Sequence, residues 1–443
     1  MLNQTSENLQ AITKKVLDQT VTGINKISVV LYSPNDESKT IELEDFGIII
    51  EQDFVSSYTD HIRINFYLRY DEYRSIIEVY RDLRCNIVIL PDSEADDKFE
   101  YTDPVTIDGK IIFSNKDDIY KRFHSSVVRS ADSEDDYVEN EQVTANRIPI
   151  TADVIDDDLF EARKKQMSFI LHDTTLGKAL HYIVGRYNPT KKCIIEPDND
   201  TEYTNIAIPQ MQTFSEVFKY LDRNFDGIYY TGLGYYWSNK TMYVYPLFNN
   251  NPDVSPYFVH IYFLGENNLA GQQISHIEID GDYHIVSAGK VNSKQLTEQG
   301  TENVGNGFII QDHRKMFNNW IEQEETEFYT ISDGLIRMQL DTENTLSETS
   351  HNVKFMFGKE NISDCRTSLS SIQGTLTSIT WDHAVPFIIK PGWKLVYHYD
   401  GDGEYVTKNA SCLKARYEYV NVGRRGMDRL YTCKGRIALF TEN

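Results

Sequence analysis

Residues 227–248 read GIYYTGLGYYWSNKTMYVYPLF. Eight aromatic side chains crowd around three glycines and one polar turn, with no acid, histidine or cysteine among them. Such a stretch is a binding face, a cofactor slot or the sheet of a larger folded unit, and its pattern separates these readings. Gly227 releases a preceding helix, a strand runs to a turn at Ser238, Asn239 and Lys240, and TMYVYPL returns. In the returning strand Met242, Val244 and Pro246 face one way and Tyr243 and Tyr245 the other. Period-two alternation with aromatics facing across strands describes a small sheet packed on both sides. The interior reading is therefore preferred over an exposed aromatic face for a sugar or a partner, for which Tyr235, Tyr236 and Trp237 are the candidates.

Upstream, the same unit occurs twice. TLGKALHYIVGRY (175–187) and TFSEVFKYLDRNF (213–225) align without gaps, 38 residues apart. Thr175 matches Thr213 as a helix N-cap, because a threonine hydroxyl there accepts from an otherwise unpaired amide of the first turn. Leu176, Leu180 and Ile183 match Phe214, Phe218 and Leu221, one apolar stripe at helical spacing. KKCIIEP follows the first helix as a strand, and the opening stretch follows the second. This predicts an α/β helix-and-hairpin insertion over 166–265.

On either side the chain reads as strand. ISVVLYS, FGIIIEQDFV, HIRINFYLRY and CNIVILP carry the β-branched and aromatic residues that fit a pleated surface, interrupted at 71–83 by a helical period. A first β-barrel over 1–128, opened by a short polar N-terminal helix, is expected. The stretch 129–165 is dense in acids and poor in core residues, and reads as an acidic linker held open by self-repulsion. Glu134, Asp135 and Asp136 are its densest run and the candidates for an acidic lumen or partner surface. From 266 to 443 a second β-barrel is expected, with a hairpin about Gly281, a helix over 313–329, and the long hairpin YEYVNVGRRGMDRLYTCKGRIALF at its end. The fold class is α+β, mainly β.

Composition narrows the function. At 443 residues, 40% hydrophobic and 12% aromatic, the chain has ample material for several cores and is not a disordered polymer. A net charge of −23 opposes binding to nucleic acid or to an anionic membrane, since phosphate recognition needs clustered Lys and Arg. It is compatible with DNA sliding past, because like charge prevents adhesion. No apolar run reaches the length of a membrane span, and the N-terminal stretch has no secretion-signal pattern. Five scattered cysteines without CxxC spacing give neither a disulfide framework nor a zinc site, and point to synthesis in a reducing cytoplasm.

Catalytic signatures are missing. The eleven histidines include no HExxH and no i, i+4 pair, and His181 on its helix reads as surface or core. There is no nucleophile elbow, and TGLG is not a phosphate loop. DGDGEY (400–405) and EPDNDTEY (196–203) read as hairpin tips, because a calcium loop needs twelve residues closed by a glutamate. No enzyme activity, cofactor or metal is expected.

The order of parts, taken with three stretches, resembles the baseplate hub proteins of contractile-tailed bacteriophages, relatives of the hub part of type VI secretion spikes and of tail-associated proteins. TFSEVFKYLDRNFDGIYYTGLGYYWSNKTMYVYPL (213–247) is similar to the family's helix leading into an aromatic strand pair. IIKPGWKLVYHYD (388–400) is similar to the Pro-Gly turn that launches a strand, and residues 403–440 to the terminal strand pair. The resemblance implies two tube-type β-barrels per chain and a homotrimeric, nearly six-fold ring. Such a ring joins the tail tube to the central spike, contacts other baseplate proteins, and leaves a channel through which DNA passes unbound. The place of such a protein is the virion, after assembly in the host cytoplasm. A receptor- or glycan-binding tail component and a tail-associated cell-wall hydrolase are the alternatives.

Overall fold

The computed structural model describes residues 24–77, 82–91, 104–113, 147–211, 214–225, 227–249, 259–264, 276–279, 281–288, 292–295, 307–311, 329–332, 335–339, 353–356, 367, 374–401, 404–425 and 428–442. The first strands are β1 (Ile24–Ser33), β2 (Asp36–Glu42), β3 (Phe46–Asp53) and β4 (His61–Arg69). Helix α1 (Tyr70–Ile77) and strands β5 (Arg84–Pro91), β6 (Val105–Phe113) and β7 (Arg147–Asp156) follow. The insertion comprises α2 (Asp157–Arg163), β8 (Met167–Thr175), α3 (Leu176–Tyr187), β9 (Lys191–Ile194), β10 (Glu202–Met211), α4 (Phe214–Asn224), β11 (Leu233–Ser238) and β12 (Thr241–Pro246). Then come β13 (Val259–Leu264), which pairs with β15 and β22 and so falls outside the insertion expected to run to 265, β14 (His276–Ile279), β15 (Asp282–Ala288) and β16 (Asn292–Gln295). Strands β17 (Gly307–Gln311), β18 (Tyr329–Ser332), β19 (Leu335–Gln339) and β20 (Val353–Met356) form a sheet of their own. The chain ends in β21 (Gly374–Asp382), β22 (Lys394–Gly401), β23 (Glu404–Arg425) and β24 (Asp428–Glu442).

Eight antiparallel strands close a barrel in the order β23-β3-β4-β7-β6-β5-β1-β24, with β24 returning to β23. Closure removes both sheet edges, and eight strands leave room only for side chains inside. Alternate residues fill it: Val29 and Leu31 of β1, Ile48 and Ile50 of β3, Ile62, Ile64, Phe66 and Leu68 of β4, Ile150, Ala152 and Val154 of β7. Outside, charges pair, among them Arg416 of β23 with Glu51 of β3 at 2.8 Å and Arg147 of β7 with Asp45 of the β2–β3 turn at 2.8 Å.

Two expectations need correction here. The range 129–165 was expected to be linker, yet Arg147–Asp156 is a barrel strand paired with β4 and β6, and Asp157–Arg163 is helical. Asp153 sits on its outer face, Asp156 at its end caps α2 by accepting from the Leu159 amide, and the apolar alternation Ile148, Ile150, Ala152, Val154 is what seats the strand. The expected first barrel over 1–128 likewise takes three of its eight strands, β7, β23 and β24, from later sequence. Residues 129–146, the N-terminal helix and positions 313–328 of the expected helix lie outside the described residues, while Tyr329 begins β18.

The terminal hairpin β23–β24 belongs to two sheets at once. Its outer half, Lys414–Tyr419 and Leu430–Thr432, pairs with β3 and β1 of the closed barrel. Its inner half, Glu404–Ser411 and Lys434–Glu442, pairs with β22 and β21. A β-bulge between Cys412 and Lys414 marks the handover, where an extra residue re-aims a strand. Beyond it the sheet continues as β14-β15-β13-β22-β23-β24-β21-β16, and the described strands leave this second set open between β14 and β16.

In the insertion, Thr175 caps α3 by accepting from the Lys178 amide at 3.4 Å, and Asn188 ends it in the left-handed conformation. The duplication extends beyond the helices: β8 leads into α3 as β10 leads into α4, and the two strands pair antiparallel. Hairpin β11–β12 turns through Asn239 and Lys240, both at positive φ, the two-residue geometry whose twist matches that of the flanking strands. Strand β9 adds in parallel to β12.

Candidate functional site

The hairpin β11–β12 sits at the junction of the two cores. One face carries Trp237, Met242 and Val244 into the apolar cluster of α3 and α4. The other carries Tyr236, Tyr243, Tyr245 and Leu247 into the core that runs through the barrel and the second sheet. The alternation read from the sequence is thus the alternation that splits these two cores.

The loop between β3 and β4 forms the other side of the junction. Phe54 is buried edge-on against Tyr236, ring centroids 4.9 Å apart. The Trp237 amide donates to Tyr58 O at 2.8 Å, and Thr59 bridges Trp237 in parallel. The Tyr245 hydroxyl donates to Phe54 O at 3.0 Å, while its ring lies against Gly392 of the Pro-Gly turn before β22. Tyr245 therefore touches all three parts of the chain: insertion, closed barrel and second sheet.

Asp60 closes the loop. Its carboxyl accepts from Gln52 Nε2 at 2.8 Å and from the Ser238 hydroxyl at the end of β11. Burial disfavours the ionised form and pushes its pKa up to about 6, against the pull of the Ser238 and Gln52 donors. A carboxyl at this joint titrates close to neutrality. No local pattern marks it, since Asp60 is one of 67 acidic residues and its partners lie 8 and 178 positions away.

The candidate residues of the sequence fall as follows. Tyr236 and Trp237 are fully buried, and Tyr235 is half-buried with its ring stacked on Phe218 at 5.0 Å. The three do not form an exposed aromatic face, because the strand sends them alternately into the two cores. Glu134, Asp135 and Asp136 lie outside the described residues. His181 is exposed, its Nε2 3.3 Å from Glu196 Oε1. Within EPDNDTEY, Asn199 is buried, and its amide donates at 2.9 Å to the carbonyls of Phe225 and Gly227, capping the C-terminal end of α4. No cluster of His, Cys, Asp and Glu suited to a metal ion occurs among the described residues, and none of their helices is long and apolar enough to cross a membrane.

Solved structures of tail proteins align over most of the chain, each at low identity and a TM-score below 0.5. A tail protein from Neisseria meningitidis aligns over 94% of this chain and 96% of its own, at 11% identity and a TM-score of 0.44. The 43 kDa tail protein of prophage MuSo2 from Shewanella oneidensis aligns over 93% and 98%, at 10% identity and 0.45. Prophage tail protein gp18 from Listeria monocytogenes aligns over 94% of both chains, at 8% identity and 0.34. No family model and no curated protein matches the sequence.

Proposed function

We propose that the protein is a structural baseplate hub of a phage tail or a related injection machine. Three copies form a ring of near six-fold symmetry that joins the tail tube to the central spike, contacts other baseplate proteins, and leaves a channel for DNA. The observation that carries this reading is the hairpin β23–β24, which builds a closed barrel with one half and a second curved sheet with the other. One chain thereby offers two β-surfaces in a fixed relation, and three such chains offer six. The second set, open between β14 and β16 among the described strands, has edges of the kind that neighbouring subunits cover.

The barrel itself is no conduit, because its interior is filled with apolar side chains. A passage for DNA would lie between copies. Three copies carry a formal −69, three times −23, and a wall of that sign repels the duplex rather than holding it. The buried Tyr236 and Trp237 give no support to a glycan-binding face.

Negative-stain microscopy with mass from light scattering tests the reading. Three-fold rings with an open centre, at about three times 51.3 kDa, are expected. Compact single copies that remain single beside a co-expressed tail-tube protein would overturn it.

A further inference from the structure

Across the second sheet runs a row of side chains that the hub reading does not use. His284 of β15, His260 and Tyr262 of β13, His398 of β22 and Thr407 of β23 share one face, brought together by the registers His260↔His284, Tyr262↔His398 and His398↔Thr407. It is the face opposite the apolar core, to which the alternating residues Val259, Ile261, Ile285 and Leu395 belong. Three of its members are nevertheless withdrawn from water, Tyr262 at 4% exposed, His284 at 7% and His398 at 9%, while His260 is half-buried and Thr407 at the end of the row is exposed.

The rings stack in parallel. His260 lies 4.8 Å from His284 at 7°, and Tyr262 lies 4.4 Å from His398 at 6°. Nitrogen atoms meet directly, His260 Nδ1 at 3.0 Å from His398 Nε2. His398 Nδ1 is 3.1 Å from the Thr407 hydroxyl, and His284 Nδ1 is 3.1 Å from that of Tyr262. One arrangement of protons satisfies the chain with neutral rings. Thr407 donates to His398, His398 donates through Nε2 to His260 Nδ1, and the remaining N–H of His260 points toward Asp282, 3.9 Å away.

We propose that this row is a proton-operated seam: neutral, it fastens β13 to β15 and β22, and proton uptake parts those strands while the closed barrel stays intact. A first proton on His398 is absorbed by Thr407 turning to accept. A second on His260 sets N–H against N–H across the 3.0 Å contact, and protons on both His260 and His284 place like charges face to face. Burial opposes a proton on His260 and on His284, where the His260 ring opposes it further, and Asp282, at the start of β15, favours it at both. Burial and the neighbouring rings pull His284 down to about 4 and His398 down to about 3. Tyr262, Tyr283 and Tyr397 on the adjoining strands add no anion at these pH values. The unfolded seam therefore binds protons below about pH 6.5 that the closed seam refuses, and its stability falls as pH drops from there through the folded values.

The inference stands apart from ring formation, and its test reads single strands of the full-length chain. Backbone amide exchange by mass spectrometry, corrected for the intrinsic pH effect, should show β13, β15 and β22 losing protection between pH 6.5 and 4. The loss should be roughly tenfold per pH unit for each proton taken up, with β4 and β7 still protected. Exchange at the histidine C2 position of the same protein should give His284 and His398 slow rates and midpoints well below 6.5. Replacement of all three rings (His260→Asn, His284→Gln, His398→Gln) should remove the acid loss where the variant folds. Ring midpoints near 6.5 at ordinary exchange rates would overturn the proposal, as would seam amides that hold until the barrel itself opens.

Discussion

Gly392 and Tyr245 pack backbone against ring so closely that a methyl group at Gly392 would stand 2.5 Å from Tyr245 Cβ. Gly234 presses on the same ring, where a methyl would meet Tyr245 Cε2 at 2.3 Å, and Gly392 also holds a φ of +71°. Residues from the insertion and from the turn before β22 thus share one slot. Gly392→Ala should cost about 2–4 kcal/mol, the sum of an overpacked contact and a left-handed residue. In a Tyr245→Gly background, which also removes the Cβ that the methyl would meet, the same change should cost only about 1 kcal/mol, the backbone part. Urea denaturation of the four proteins measures this coupling, and additive costs would refute it.

The Tyr245 hydroxyl is the polar stitch between the insertion and the barrel. Tyr245→Phe removes the donor and leaves Phe54 O unpaired in a buried place, at a cost of about 1–2 kcal/mol. Local exchange at residues 54–60 should rise more than exchange in β6, which the stitch does not touch.

Asp60 predicts a pH dependence of the opposite sign to that of a salt-bridged carboxylate. Its folded pKa is raised, to about 6, so the protonated form favours the fold. That stability is fully present below about pH 4 and is lost as pH rises through 6. Asp60→Asn should flatten this part of the stability curve, recovering roughly 2–3 kcal/mol of slope between pH 4 and 7 relative to the parent. Chemical denaturation at several pH values is the measurement, and parallel curves for the two proteins would rule the assignment out.

Trp237 is fully buried between Phe214 and the β3–β4 loop. Trp237→Ala should cost about 3–5 kcal/mol and loosen α3 and α4, whereas Tyr230→Ala, at a residue 56% exposed, should cost little. Near-ultraviolet circular dichroism and thermal melting separate the two.

The insertion was the most legible part of the chain. Its helix stripes, the Thr175 cap and the two faces of β11–β12 follow from periodicity within some forty residues, where local pattern and packing agree. The hairpin about Gly281 and the long terminal hairpin were legible for the same reason. The sharing of β23 and β24 between two sheets was not, because pairing partners such as Arg416 and Glu51 are 365 residues apart and strands carry no local mark of their neighbours. Strand β7 was hidden by Asp153 on its outward face and by the runs of acids on either side of it in sequence. The histidine row was invisible to a search for helical or motif spacing, although VHIYF, DYHIV and VYHYD each place a histidine at the polar position of an alternating strand.

The unbroken course of β23 and β24 through both sheets has a mechanical consequence. A pull that drives the second sheet away from the barrel along the strand axis loads the hydrogen bonds joining the hairpin to β3 and β1 on one side and to β22 and β21 on the other, in shear. They must yield together, unlike the rungs of a ladder peeled from one end. Axial thrust or tension is thus carried across the molecule by covalent backbone and a sheared ladder, and the halves transmit force as a single strut.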